Sequence, residues 1–305
     1  MIDPLDGARA QQIEVYGADG SYFYISGPDL NPDAGVSLSP SLTGAIDAPV
    51  KTLWLPGAFG QEAQGYRWQR RDMVFAVQTY AQDPETWMTV DSDWRYAWDY
   101  VKETKIVYTT SEGSRWVSVR LLEEPKAYGG DAEKGKSPFL VCEANVVMTV
   151  AAELPFYQGE TEVWEWEMPE GQTSYEFHID IVNDSDVPVW PRWTLTDNAT
   201  WTLPDFSWGS EEYSRGVQDS ERVVELPTLH ANEDVVVDAD PRRQTILARN
   251  MANVQGRWKG NDLLYPIGPG ATGAVPVKVT GATSGAALRL EIPKWYTRPW
   301  GRPLP

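Results

Sequence analysis

The chain holds a single cysteine, Cys142, and only two histidines, His178 and His230. One cysteine excludes an internal disulfide, and its place in the apolar run FLVCEANVVMTV reads as a small buried hydrophobe. Two separated histidines and one cysteine do not make a zinc site. The sequence has no GxSxG elbow, P-loop, GxGxxG or HExxH, so the common hydrolase, nucleotide and metalloprotease signatures are missing. Basic residues are also scarce, 26 against 44 acidic, for a net charge of −18. A duplex binder needs a basic footprint, so stable nucleic-acid binding is not expected. An acidic surface suits a protein that DNA passes without sticking, or simply keeps the chain soluble. No apolar run approaches the roughly 18 residues of a membrane span, so no membrane insertion is expected. MIDPLDGARAQQ lacks a basic n-region and an apolar core, and reads as cytoplasmic synthesis without a signal peptide.

Aromatic residues, by contrast, are plentiful. Tryptophan, with 15 copies, outnumbers the 14 Tyr and 7 Phe. Indoles bury large areas and are enriched at interfaces, which points to assembly or ligand stacking. At 305 residues and 34.2 kDa, one large or two ordinary domains are expected.

The first domain is read over residues 1–155. IEVY, GADG and SYFYIS make a hairpin signal. A Pro/Gly/Ser/Asp-rich loop is expected over residues 27–44, then a short strand VKTLWL, then PGAFGQEAQGYRWQRR with no clear period. MVFAVQTYA reads as a strand. One helix is expected over about residues 84–101, capped by Asp83 with Pro84 first. Trp87, Val90, Trp94, Ala97, Trp98 and Val101 would form its apolar face. A second hairpin (TKIVYTT, SEGS, RWVSVRLLEE), a polar loop over residues 125–137 and a long strand PFLVCEANVVMTVAAEL complete a compact β domain with one helix.

From residue 156 to residue 293 the pattern is all β, with turns every several residues, which indicates a two-sheet sandwich. NDLLYPI is read among its strands, and PDFSWGSEEYSRGVQDSE as a long outer acidic loop. In VWEWEM, Trp164, Trp166 and Met168 fall on the inner face, with Glu165 and Glu167 outward. Indoles and carboxylates on opposite faces cannot converge on a sugar, so this pair is no glycosidase site. His178 points away from Ile179 and Ile181, and its proximity to Asp180 reads as incidental. Asp91–Ser92–Asp93 lacks the alternation of a calcium loop. Asn183 and Asn198, in Asn-x-Ser/Thr triplets, read as turn residues. No catalytic, cofactor-binding or metal-binding residue is assigned. PKWYTRPWGRPLP carries four prolines in thirteen residues, so residues 294–305 are read as an extended arm.

Several phrases together resemble a tailed-bacteriophage distal tail protein, a minor tail protein of siphophages infecting high-GC Gram-positive hosts. In the first domain they run from MVFAVQTYAQDPETWMTVDSDWRYAWDYV to KIVYTTSEGSRWVSVRL; in the second they are VPVWPRWTLTD, EDVVVDADPRRQTI and LLYPIGPGATGAVPVKVTG. The resemblance implies a tail-tube-like barrel or sandwich followed by a galectin-like, carbohydrate-binding-like β-sandwich. It implies a ring, commonly a hexamer, at the tail tip of the virion, between the tail tube and the tip or baseplate. Tube, tape-measure and tip proteins would be its partners, and DNA would pass through its lumen. Residues 27–71 are expected to form a belt on a neighbouring copy. Arg67, Arg70, Arg71, Trp295 and Trp300 are candidate inter-subunit residues. Trp208 is a candidate exposed aromatic for a partner or for a host glycan, the latter being the alternative role.

Overall fold

The computed structural model describes residues 11–127, 137–282 and 285–301. Expectations for the loop at 128–136, the turn at 283–284 and the end of the arm at 302–305 lie outside the described residues. The chain is mainly β and divides into two compact units. The first runs to Gly159 and resumes at Tyr296; the second is Glu160–Trp295. The first boundary falls after residue 155 because Phe156 and Tyr157 are buried, and Tyr157 joins the core of the first unit.

Eleven strands of the first unit are named in chain order: β1 (Gln11–Tyr16), β2 (Tyr22–Ser26), β3 (Gly35–Thr43), β4 (Val50–Gly57), β5 (Gly60–Trp68), β6 (Arg71–Tyr80), β7 (Thr104–Thr110), β8 (Gly113–Leu121), β9 (Lys126–Ala127), β10 (Glu143–Ala152) and β11 (Tyr157–Gln158). The helix α1 (Pro84–Tyr96) follows β6, and a short α2 (Pro138–Val141) precedes β10. The main sheet runs β2-β1-β7-β8-β10-β6-β3, and β2 lies beside β3, so the sheet curls toward a barrel. Alternation fills the interior: Ile13 and Val15, Met73, Phe75 and Val77, Ile106 and Tyr108, Val146, Met148 and Val150 are all buried. Residues 35–43, read as loop, form β3 because Val36 and Leu38 point to that interior; Pro40 is tolerated on an end strand at a register shift.

Asp83 caps α1 by accepting from the amides of Glu85 and Thr86. Trp94 and Trp98 lie in the barrel core, edge-on to one another at 5.1 Å, and Trp94 meets Phe23. The helix ends at Tyr96, five residues short of the expected end. There Asp99 accepts from the amides of Val101 and Lys102 and turns the chain, leaving Val101 79% exposed instead of on the apolar face. The strand expected from Pro138 begins at Glu143, because Cys142 takes a left-handed φ of 54° that ends α2 first. Cys142 is buried.

The second unit is a two-sheet sandwich. One sheet is β12 (Glu162–Glu167), β20 (Ala287–Ile292), β14 (Arg192–Leu195), β17 (Val235–Asp238) and β18 (Ile246–Ala248). The other is β13 (Ser174–Val182), β19 (Thr272–Thr280), β15 (Thr200–Pro204) and β16 (Val223–Glu225). Trp193 and Trp201 are fully buried between them. Met168 is buried, while Trp164 and Trp166 are half-buried and stack on Phe177 at 5.5 and 4.3 Å. NDLLYPI does not form a strand. The amides of Leu264 and Tyr265 bond the buried carboxylate of Asp205, and only Val189 pairs with Ile267.

The long loop after β15 is ordered from within. Ser207 donates to the carbonyls of Gly216 and Asp219, Arg222 pairs with Asp205, and Tyr265 donates its hydroxyl to Asp219 at 2.6 Å. That hydrogen bond, against some opposition from burial, holds the Asp219 carboxyl below its ordinary value, with Arg215 adding to it. A depressed carboxyl stabilises the fold above its unfolded pKa, and the contribution is lost as pH falls through the lower folded value. Melting temperatures measured from pH 6 down to pH 3 should therefore fall less steeply for Asp219→Asn than for wild type. Parallel curves would refute this role.

Candidate functional site

The first site is a ribbon. Among the described residues, the strands β4 and β5 pair only with each other, joined through Ala58 and Phe59. Cross-strand partners share a face. One face carries Thr52, Trp54 and Tyr66, and the other carries Lys51, Leu53 and Arg67. Leu53, Trp54, Leu55 and Tyr66 are all exposed, Trp54 at 52%, and Phe59 at the tip is wholly exposed. A two-stranded ribbon without a sheet or helix to cover it is marginal in water, and exposed apolar patches mark interaction sites. Lys51 lies directly opposite Arg67, a like-charge pairing that further weakens the bare ribbon. The ribbon is rooted where Trp68 meets Phe156 edge-on at 5.0 Å.

The expected interface residues have different fates. Arg67 is exposed on the ribbon. Arg70 is exposed but engages Asp72 through two nitrogens at 2.7 and 3.0 Å. Arg71 is fully buried, which corrects the expectation that it faces a neighbour. Its guanidinium donates to the carbonyls of Pro155, Gly44, Ala45, Asp47 and Thr297 at 2.7–3.3 Å, and lies 4.7 Å from the Tyr157 ring centroid. Burial pulls its pKa down from the usual arginine value, while nearby Tyr157, Tyr108 and Asp47 oppose the shift.

The arm is likewise not free. Arg115 donates to the carbonyls of Arg298 and Gly301 and stacks on Tyr296 at 3.6 Å. Arg298 reaches Asp47 at 2.6 Å, the Gly301 amide bonds Glu112, and Trp300 packs half-buried against the core of the first unit. Trp295 is half-buried against the core of the second unit, under Arg242. Trp208 is no open platform either. It is half-buried, at φ 41°, with Phe206 edge-on at 5.8 Å and Gly273 against its ring.

The second site is a cleft of about 680 Å³ on the outer face of the five-stranded sheet. A single cross-strand row, Glu165, Arg289, Thr194, Val236 and Leu247, crosses all five strands. Beside it lie Glu167, Thr196, Asp234 and Arg249. Arg289 bonds Glu165 at 2.9 Å and Glu291 at 3.0 Å. Met251 stands at the rim, 81% exposed, at φ 63°, a backbone conformation uncommon for so large a side chain. The volume lies in the range of small-ligand sites. Among the described residues, no group of three His, Cys, Asp or Glu is placed to hold a metal.

The ribbon falls within residues 27–71, expected as a belt, but its hairpin pairing and its exposed apolar side chains were not foreseen, and the cleft was not marked by sequence reasoning at all. The ribbon's signal was the pair of glycines, Gly57 and Gly60, around a two-residue turn between exposed apolar residues. The cleft's row comes from five strands distant in sequence, and no local motif encodes it.

No family model matches the chain. It is 26% identical to minor tail protein Gp27 of Mycobacterium phage D29, over 95% of this chain and 98% of that protein. It is 25% identical, with the same coverage, to minor tail protein Gp27 of Mycobacterium phage L5. Among solved structures it is similar to the Dit protein (gp 19.1) of SPP1, with a TM-score of 0.54 at 9% identity, covering 92% of this chain and 98% of that one. The chain is a homologue of mycobacteriophage minor tail proteins and shares the fold of a phage Dit protein.

Proposed function

We propose that this homologue of minor tail proteins is a structural protein of a siphophage tail, acting as a distal tail hub. Several copies, six in the simplest case, close into a ring that joins the tail tube to the tip and surrounds the DNA channel. The observation that carries this reading is similarity to minor tail proteins along nearly the whole of both chains. The bare ribbon supports self-assembly, since covering it with another copy removes apolar area from water. The net charge of −18 suits DNA that slides past without binding. The partners are then further copies, the tube, tape-measure and tip or baseplate proteins, and the location is the virion tail tip after synthesis in the host bacterium. No catalytic step is assigned to any residue. Native mass spectrometry of the purified chain, together with cryo-EM of the tail, tests the ring. A monomer in solution with no ring at the tip would sink it.

The cleft favours a second role for the outer sandwich, in contact with a host glycan. Glu165, Arg289 and Thr194 of its row offer hydrogen bonds beside the apolar Val236 and Leu247. Replacing Arg289 and Met251 by Ala should abolish any signal on a glycan array. Replacing Trp208, Trp295 and Trp300, which pack internally, should not remove it selectively. A wild-type chain that gives no signal on the array eliminates this role.

A further inference from the structure

Among the described residues, β13 lies at the margin of its sheet and pairs with β19 alone. Its nine residues run in unbroken register, from Ser174 opposite Thr280 to Val182 opposite Thr272. Antiparallel partners alternate between residues that bond each other and residues that point away. Two bonds fix the parity here. The amide of Asn183, next in line, donates to Ala271, while the carbonyl of Val182 accepts from Lys294. Ser174, Glu176, His178 and Asp180 share the parity of Val182, so their amides and carbonyls point away from β19, and all four residues are exposed.

An open margin of this kind is a template for a further strand, and folded chains blunt such margins by shortness, proline, bulges or cover. Other margins of the sandwich show these devices. β16 has three residues, and at β18 Gln244 bonds the Ile246 carbonyl while the Met251 amide bonds that of Ala248. On the six-residue β12 the central acid, Glu165, is engaged by Arg289. β13 is long and has neither proline nor bulge.

The two faces of β13 define what would fit beside it. On the outer face stand Glu176, His178 and Asp180, opposite Lys278, Pro276 and Ala274 of β19. Neither acid forms an ion pair among the described residues. On the inner face Phe177 stacks on Trp166 and Trp164 of β12, nearly parallel to both, and Tyr175 lies 5.6 Å from Trp166 yet remains 38% exposed.

We infer that the outer edge of β13 receives a strand from another protein chain, one in which Lys or Arg alternates with apolar residues. The added backbone bonds the outward amides and carbonyls, its cations face Glu176 and Asp180, and its apolar residues cover the half-exposed aromatic stack. A second copy of β13 is the poorer occupant, because antiparallel pairing centred on His178 sets Glu176 against Asp180 on both sides.

Two synthetic peptides, each matching the nine residues of β13, test this on the full-length chain. One alternates Lys with Val and the other Glu with Val. Hydrogen exchange followed by mass spectrometry should slow across residues 174–182 with the Lys peptide and stay unchanged with the Glu peptide. His178→Pro removes an outward amide that β19 does not use, and its partner Pro276 already lacks one. The melting curve of that variant should match wild type, while its affinity for the Lys peptide falls about tenfold or more. Glu176→Lys with Asp180→Lys should reverse the preference to the Glu peptide. No binding to wild type, equal binding of both peptides, or full binding to His178→Pro overturns the inference. Protection of the same residues that grows with the concentration of the chain alone gives the edge to a second copy and also overturns it. The readout is confined to one margin of the second unit, so these results stand whether or not copies close a ring.

Discussion

Replacing Arg71 by Met is expected to destabilise the first unit by about 4 kcal/mol or more, the largest effect of any single substitution outside the packed core. The guanidinium is fully buried and bonds five backbone carbonyls, from residues 44, 45, 47, 155 and 297. Methionine fills much of the space but donates nothing. Each buried carbonyl left without a donor costs about 1–3 kcal/mol, and water that enters can serve only some of them. Arg71→Lys should recover part of the loss. An ammonium has three donors and cannot reproduce the planar fork that spans the chain just after β3, the chain near residue 155 and the C-terminal segment. Denaturant unfolding followed by tryptophan fluorescence measures the difference. A loss of less than about 1 kcal/mol for Arg71→Met would show that the carbonyls find other donors.

Arg71 also shows what kind of information a sequence withholds. In QGYRWQRRDMV, Arg67, Arg70 and Arg71 look alike, three cations beside a glycine-rich stretch, and together they suggest a docking patch. Their fates diverge because strand parity and distant chain decide them. Arg71 opens β6 with its side chain turned inward, where the carbonyls from residues 44, 155 and 297 converge. Arg67 lies exposed on a ribbon that no other described strand joins. No local pattern distinguishes the two, since the difference lies in contacts up to 226 residues away.

Features that depend on period were legible. The alternation of MVFAVQTY and the capped helix after Asp83 gave correct elements, as did the strands of the sandwich. The errors came where a side chain captures backbone. Asp99 ends α1 early, Asp205 takes the amides that would have made NDLLYPI a strand, and the left-handed Cys142 splits PFLV from β10. Such captures need a partner that is often far along the chain, and a periodicity window does not contain it. The abundance of tryptophan pointed to assembly or ligand stacking, but which tryptophans are exposed was not legible. Trp208, Trp295 and Trp300 pack internally, while Trp54 on the ribbon remains bare.

The C-terminal segment gives the second large effect. A proline-rich arm suggests a strap onto a neighbour, and on that reading a cut after Pro293 weakens assembly and leaves the monomer folded. The structure reverses the second half of that expectation. Tyr296 and Trp300 pack on the core of the first unit, Thr297 supplies a carbonyl to Arg71, and Arg115 bonds Arg298 and Gly301. Ending the chain after Trp295 removes two half-buried aromatic side chains, together about 3–5 kcal/mol of apolar burial. It also strips acceptors from two arginines, one of them buried. The shortened chain should therefore show a first unit with a lowered unfolding midpoint, even as an isolated monomer, while the sandwich keeps its own. Because a destabilised first unit would also assemble poorly, mass alone cannot separate the two accounts; unfolding in dilute monomer does. Unchanged unfolding there, together with lost assembly, would return the segment to the role of an inter-subunit strap. A lowered midpoint means that the chain must come back from the sandwich to finish its first unit, so the ribbon sits on a scaffold that Tyr296 and Trp300 help to complete.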